Sequence, residues 1–141
     1  MGNYFGTYSR TLDEKGRLQI PSKLADKKTK HFFVLKGFEG CLSVYEEENF
    51  NALVAKLQSM NFLDETSRNF IRLTTSSVQT LDVDSHGRVL LSKQTLDDYR
   101  IQKEVTLIGV LDHFEIWDAT SYARYQLQNA GNYEILAGKS R

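Results

Sequence analysis

The sequence predicts a mainly β fold with helices, of the α+β class, in which two tandem βαββ repeats share one barrel-like core and carry flanking helices. Three observations predict it. LDEKGRLQIP at 12–21 returns as VDSHGRVLLS at 83–92, so that Asp13 to Arg17 is matched by Asp84 to Arg88, with Gly16 or Gly87 before each Arg. Apolar residues alternate before the second motif (Leu81, Val83) and after both (Leu18, Ile20; Val89, Leu91), which is the period of a strand. Past the motifs, HFFVLKGFEGCLSVY at 31–45 aligns at an offset of 72 with KEVTLIGVLDHFEIW, placing Gly37 on Gly109, Leu42 on Phe114, Val44 on Ile116 and Tyr45 on Trp117. A duplication of this kind joins units that could not bury enough surface alone.

Each element has a local reason. Asp13 and Asp84 stand first in four-residue turns that end in Gly16 and Gly87, where a left-handed conformation is needed, so DEKG and DSHG are expected as hairpin tips. Pro21 and Ser92 are expected to open short helices, since proline suits a first turn and serine an N-cap. Residues 32–38 and 105–111 read as strands that pair through turns with 41–45 and 114–117. Phe50, Leu53, Val54 and Leu57 then form one helical stripe, with Glu46, Glu47 and Glu48 in the first turn where the helix dipole favours acids. A further helix over 64–74, carrying Phe70, Ile71 and Leu73, joins the halves, and a weaker helical pattern follows Trp117 on Tyr122, Tyr125 and Leu127. The expected organisation is a first repeat with its helix over 1–60, a helical connection over 61–80, and a second repeat with a C-terminal helix over 81–141, all in one compact domain.

Composition narrows the function classes. No apolar run approaches the roughly 20 residues that cross a bilayer, and MGNYFGTYSR lacks a basic-then-apolar signal. Gly6 stands where myristoylation of Gly2 would want Ser or Thr. The single cysteine, Cys41, excludes an internal disulfide and fits a reducing compartment, so a cytoplasmic location is expected. Net charge is zero, yet residues 1–36 hold eight Lys or Arg against three acids, while 37–66 hold one against six. A local anionic partner for the basic third, or a solvated face beside an acidic helix, would each account for that split.

Catalysis finds little support. His31, His86 and His113 are widely spaced and Cys41 has no partner, which disfavours a metal site. Asp13 and Asp84 could form a paired-carboxylate centre, but each has an Arg four residues on and is better read as fixing its turn. Binding fits better. The first tip offers Lys15, Gly16 and Arg17, and Arg10 in the preceding strand is placed to reach the same surface. A guanidinium can grip a phosphate or a guanine edge in two places. The second tip, with Arg88, has Ser85 and His86 where the first has Glu14 and Lys15, and so carries less positive charge. The alternative for both arginines is an internal salt bridge to Asp13 or Asp84. Arg68 with Arg72 reads as a solvated face, and Phe114, Trp117, Tyr122 and Tyr125 as core in preference to a subunit interface.

LDEKGRLQIPSKL, VDVDSHGRVLLS, KEVTLIGV and HFEIWD together resemble the MraZ family of bacterial regulators, over Tyr4 to about Trp117. That family is similar in turn to the AbrB-type proteins, whose swapped hairpins build a pseudo-two-fold, double-split barrel that binds DNA. The resemblance implies a nucleoid-associated, sequence-specific transcription factor with no cofactor, no membrane partner and no small-molecule substrate. It implies binding of double-stranded DNA at promoter direct repeats of the division and cell-wall gene cluster, and a homo-oligomeric ring, expected as an octamer. Carried onto this chain, the motif positions are Asp13, Lys15, Gly16, Arg17, Asp84, Gly87 and Arg88. Ser92 departs from the proline common there, and the tail after Tyr125 has no counterpart in the motifs. An oligomeric protein-binding scaffold or an antitoxin-like module is the alternative.

Overall fold

A computed structural model describes residues 3–140, so the Gly2 position weighed for acylation lies outside the described residues. The first repeat contributes β1 (Thr7–Thr11), β2 (Arg17–Gln19), β3 (His31–Lys36) and β4 (Leu42–Tyr45), then α1 (Glu47–Gln58) and α2 (Glu65–Ser76). The second contributes β5 (Gln79–Asp82), β6 (Arg88–Leu90), α3 (Lys93–Asp98), β7 (Glu104–Gly109) and β8 (Phe114–Asp118), followed by α4 (Ala119–Asn129) and α5 (Tyr133–Lys139).

Six strands form one antiparallel sheet in the order β1-β7-β8-β4-β3-β5, and β2 pairs with β6 in a separate two-stranded ribbon. Exchange the two repeats and the order reads the same from the opposite edge. The first strand of each repeat therefore lies on the third strand of the other, and the fold is pseudo-two-fold. Single bonds outside the ladders obey the same rule. The Leu12 N–H donates to the Lys103 carbonyl and the Val83 N–H to the Lys30 carbonyl, both at 2.9 Å. Likewise the Leu91 N–H donates to Gly16 at 2.9 Å and the Ile20 N–H to Gly87 at 3.0 Å.

Three expectations are corrected. The strands flanking each Asp-to-Arg turn do not ladder with one another: β1 and β5 join the large sheet, while β2 and β6 join the ribbon. The tight turns themselves are present, closed by the Gly16 N–H on the Asp13 carbonyl and the Gly87 N–H on the Asp84 carbonyl, both 3.0 Å. Pro21 opens only a turn, closed by the Leu24 N–H on its carbonyl, whereas Ser92 does cap α3 by accepting from the Thr95 N–H at 3.1 Å. A serine side chain can satisfy an orphan N–H that a proline cannot. The third concerns alignment. Val34 stands opposite Val44 as Leu107 stands opposite Ile116, so β7 follows β3 by 73 residues although β8 follows β4 by 72. Gly37 then corresponds to Val110, and Gly109 has its own reason: an added Cβ there would meet the Phe5 backbone nitrogen at 2.3 Å.

The core lies where the repeats meet. Leu18, Phe32, Leu107 and Phe114 are fully buried, and the Phe32 and Phe114 rings, one from each repeat, meet edge to face at 5.4 Å. Helices cover this core only in part. No residue of α1 is fully buried, and Phe50 holds the helix by stacking on Phe33 at 4.3 Å. Asp64 caps α2 and Asp118 caps α4, each accepting a backbone N–H three residues on. Phe114 and Trp117 are core, as expected, with Tyr122 and Tyr125 half-buried against the Trp117 ring, but Leu127 points to solvent.

Gly16 and Gly87 hold equivalent left-handed conformations, with φ of 85° and 77°, yet their surroundings differ. A Cβ at Gly16 would lie 2.7 Å from the Leu91 carbonyl oxygen, whereas at Gly87 it would meet only the flexible Gln19 amide at 3.0 Å. Both alanine variants should carry the left-handed penalty of roughly 1–2 kcal/mol. Gly16→Ala must displace backbone as well, so urea unfolding should show it the less stable of the two.

Candidate functional site

Each Asp-to-Arg turn is built around one carboxylate. Asp13 Oδ1 accepts the backbone N–H groups of Lys15 and Arg17, both at 2.9 Å, and its Oδ2 accepts Arg17 Nε at 2.6 Å. The second turn repeats this bond for bond: Asp84 Oδ1 accepts from His86 and Arg88 N–H at 2.9 Å, and Oδ2 from Arg88 Nε at 3.0 Å. Charge-assisted bonds of this kind favour the ionised acid. The Arg17 N–H first, then its guanidinium and the Lys15 N–H, hold Asp13 down to about 2 against partial desolvation. Asp84 is likewise lowered, chiefly by the Arg88 and His86 N–H groups. Both carboxylates are thus spent on their own turns, which is not the condition of an acid–base dyad.

The salt-bridge reading of the arginines is therefore correct for one edge of each guanidinium. Only Nε is used. Neither terminal nitrogen of Arg17 or of Arg88 has a hydrogen-bond partner among the described residues. The bridge fixes the guanidinium and leaves its outer fork open, a preorganised two-point donor.

The ribbon brings these forks onto one surface. Arg17 lies opposite Leu90, Leu18 opposite Val89, and Gln19 opposite Arg88. Leu18 and Val89 are buried, so the alternation turns Arg17, Gln19, Arg88 and Leu90 outward. Gln19 and Leu90 were missed by the reading of the motifs. Alternation alone would have set Gln19 beside Arg17, but nothing in one repeat indicates that the other supplies its partner strand. The Gln19 amide also ties the turns together by donating to the His86 carbonyl at 2.8 Å.

Other expected residues are placed less centrally. Lys15 is exposed at the first tip, Gly16 is buried beneath it, and His86 is exposed at the second. Arg10 lies on β1 in the large sheet, where its Nη1 donates to the Ser9 carbonyl at 2.8 Å. It makes no hydrogen bond or ion pair with the turn among the described residues. Arg68 and Arg72 hold the loop before α2, the first through the Phe62 and Leu63 carbonyls and the second over the Phe62 ring at 5.6 Å. Among the described residues no group of three His, Cys, Asp or Glu is arranged to hold a metal, and no helix is long and apolar enough to cross a membrane.

Two repeats that each set one Asp-tied arginine on a shared ribbon define a class of duplicated, single-chain α+β proteins with paired cationic turns. The model of the MraZ protein family, whose description carries an antitoxin-like label, matches residues 4–73 and 76–135. The transcriptional regulator MraZ of Moorella thermoacetica is 33% identical over 136 residues, 96% of this chain and 95% of that one. That of Acetivibrio thermocellus is 32% identical over the same shares, and that of Mesoplasma florum 34% identical over 95% and 92%. The chain belongs to the MraZ family. The match also runs ten residues past Tyr125, so part of the tail that the motifs left without a counterpart is shared family sequence.

The depressed acid has a pH consequence. Asp13 titrates lower folded than unfolded, so its contribution is complete above the ordinary carboxylate pKa and is lost as pH falls through the folded value. Asp13→Asn keeps a turn-forming oxygen but not the charge. The unmodified protein should be the more stable at pH 6, and denaturant titrations should show the gap closing between about pH 4 and pH 2.

Proposed function

We propose that this chain is a sequence-specific, DNA-binding transcriptional regulator that works without a cofactor. The observation that carries the reading is the fixed guanidinium: Arg17 Nε is bound to Asp13 while the terminal nitrogens have no hydrogen-bond partner among the described residues, on the outward face of a two-stranded ribbon. A two-stranded β-ribbon fits the major groove of B-DNA, and an arginine fork there matches the O6 and N7 acceptors of guanine. Lys15 at the same tip supplies phosphate contact. The relatives named as transcriptional regulators support the same reading. Its finer terms are direct repeats in the promoter of a division and cell-wall gene cluster, a ring of subunits, and a cytoplasmic protein held on the nucleoid.

Ring assembly is supported by apolar surface that one chain leaves uncovered. Phe38, Leu63 and Leu73 around the α1–α2 pair are 67%, 88% and 60% exposed, and Leu127 and Tyr133 on the C-terminal helices are 86% and 77%. Large apolar side chains left exposed on these elements are candidates for contact between copies of the chain. Rotational symmetry sets every subunit in the same sense along a bent duplex and so favours direct repeats, whereas a two-fold dimer favours a palindrome. An oligomeric scaffold or antitoxin-like module would share the apolar surface without needing the open arginine forks.

Arg17→Ala should lose about 1–3 kcal/mol of DNA affinity for each subunit engaged, with the fold intact, and Lys15→Ala less. Arg88→Ala should cost less affinity. Electrophoretic retardation beside a thermal melt checks this, and normal binding by Arg17→Ala would leave its bridge purely structural. Light scattering with footprinting tests assembly: a ring should protect repeats in one orientation and weaken when one is deleted, and a monomer on a single palindrome would exclude it.

A further inference from the structure

Neither turn shows all of its neighbouring cations while each repeat is viewed alone. The strand exchange places a lysine of the opposite repeat beside each turn. The Lys103 backbone carbonyl accepts the Leu12 N–H, one residue before Asp13, and the Lys30 backbone carbonyl accepts the Val83 N–H, one residue before Asp84. These are pseudo-two-fold equivalents. Lys103 lines a groove with Asp13, Glu14 and Gly16, and Lys30 lines another with Ser85, His86 and Gly87. Both lysines are exposed, and neither forms an ion pair among the described residues.

Several nearby acids are held by other groups, while Glu14 shares the Lys103 groove and Glu46, Glu47 and Glu48 share a second groove with Lys30. Asp13 and Asp84 hold their own arginines, Glu104 accepts from the Thr11 hydroxyl at 2.8 Å, and Asp26 accepts the Lys28 and Thr29 N–H groups. The Lys30 groove also contains Lys27, and the cleft adjoining Lys103 contains Arg100 and Arg124. Cations set beside an Asp-to-Arg turn, with no ion pair among the described residues, fit a repeating anion that passes the tip on its way along a groove. The phosphodiester backbone of duplex DNA has that form.

We propose that Lys103 and Lys30 are phosphate-contact residues, each completing the DNA-binding surface of the turn that the other repeat supplies. On this assignment the second turn is an active contact, its missing tip lysine replaced by Lys30. The assignment rests on the DNA-binding reading above.

The test is a salt series of anisotropy titrations with a labelled random-sequence duplex and with a duplex carrying the bound repeats. Lys30→Gln/Lys103→Gln should lower the log–log salt slope by about 1.8 per engaged subunit, two contacts at about 0.9 each, and each single variant by about half of that. Loss should be equal on the two duplexes, because phosphate contacts carry no sequence information. Lys30→Arg/Lys103→Arg should restore the slope, and thermal midpoints should stay with that of a Lys139→Gln control on α5. A slope in the double glutamine variant equal to the Lys139→Gln control overturns the role of the lysines alone. An unmodified protein with no salt-dependent affinity for either duplex overturns the functional reading, and this assignment with it.

Discussion

The structure depends on one constraint: neither repeat can complete its sheet without the other. Among the described residues β1 pairs only with β7 and β5 only with β3, while β2 and β6 pair only with each other. A strand left without a ladder exposes a row of backbone donors and acceptors, each costly if removed from water unpaired. Exchange solves this for both repeats at once. It also sets the register, because a one-residue slip of β2 on β6 would turn Leu18 or Val89 outward and Arg17 or Arg88 into the core. The side-chain core follows the same logic, since Phe32 and Phe114 fill one centre from opposite repeats.

The turns are the second consequence. Arg17 follows directly from the glycine whose left-handed backbone lies against Leu91, and Leu91 closes on that glycine with its own N–H. Arg88 follows Gly87, which accepts from Ile20 in the same way. The position of each guanidinium is thus set twice over, by the ribbon beneath and by the carboxylate beside it. Freezing a long side chain ordinarily costs up to about 2 kcal/mol of rotamer entropy, and here that cost is met in folding rather than on binding.

Much of this was legible in the sequence, and what was not has a common cause. Period-two alternation, the Asp-to-Gly spacing and the stripe of Phe50, Leu53, Val54 and Leu57 are local signals, and they located the strands, turns and first helix. Pairing is not local. That β2 lies on β6 rather than on β1 depends on contacts between residues about 70 positions apart, so the turns looked like the tips of closed hairpins. The offset of 72 was carried into β7 because Gly37 and Gly109 share an identity, although the first faces Cys41 and Ser43 side chains and the second faces Tyr4 and Phe5. Lys30 and Lys103 were unreadable for the same reason, being remote in sequence from the turns they flank. Asp13, Arg17, Asp84 and Arg88 were readable because turn and bridge are both built within five residues.

That division explains why arginine, and not simply a cation, belongs at positions 17 and 88. A lysine has one ammonium, and if it turned to Asp13 Oδ2 it would have little left to offer a partner. Arginine separates the tasks along one rigid plane, with Nε inward to the acid and the terminal pair outward. Lys15, Lys30 and Lys103 have no inward task, and for a phosphate, which needs charge more than a fixed fork, a flexible ammonium suffices. The two kinds of cation thus fall where the fold can support them: arginines where a carboxylate and a left-handed glycine can orient them, lysines on the exposed edges beside the turns.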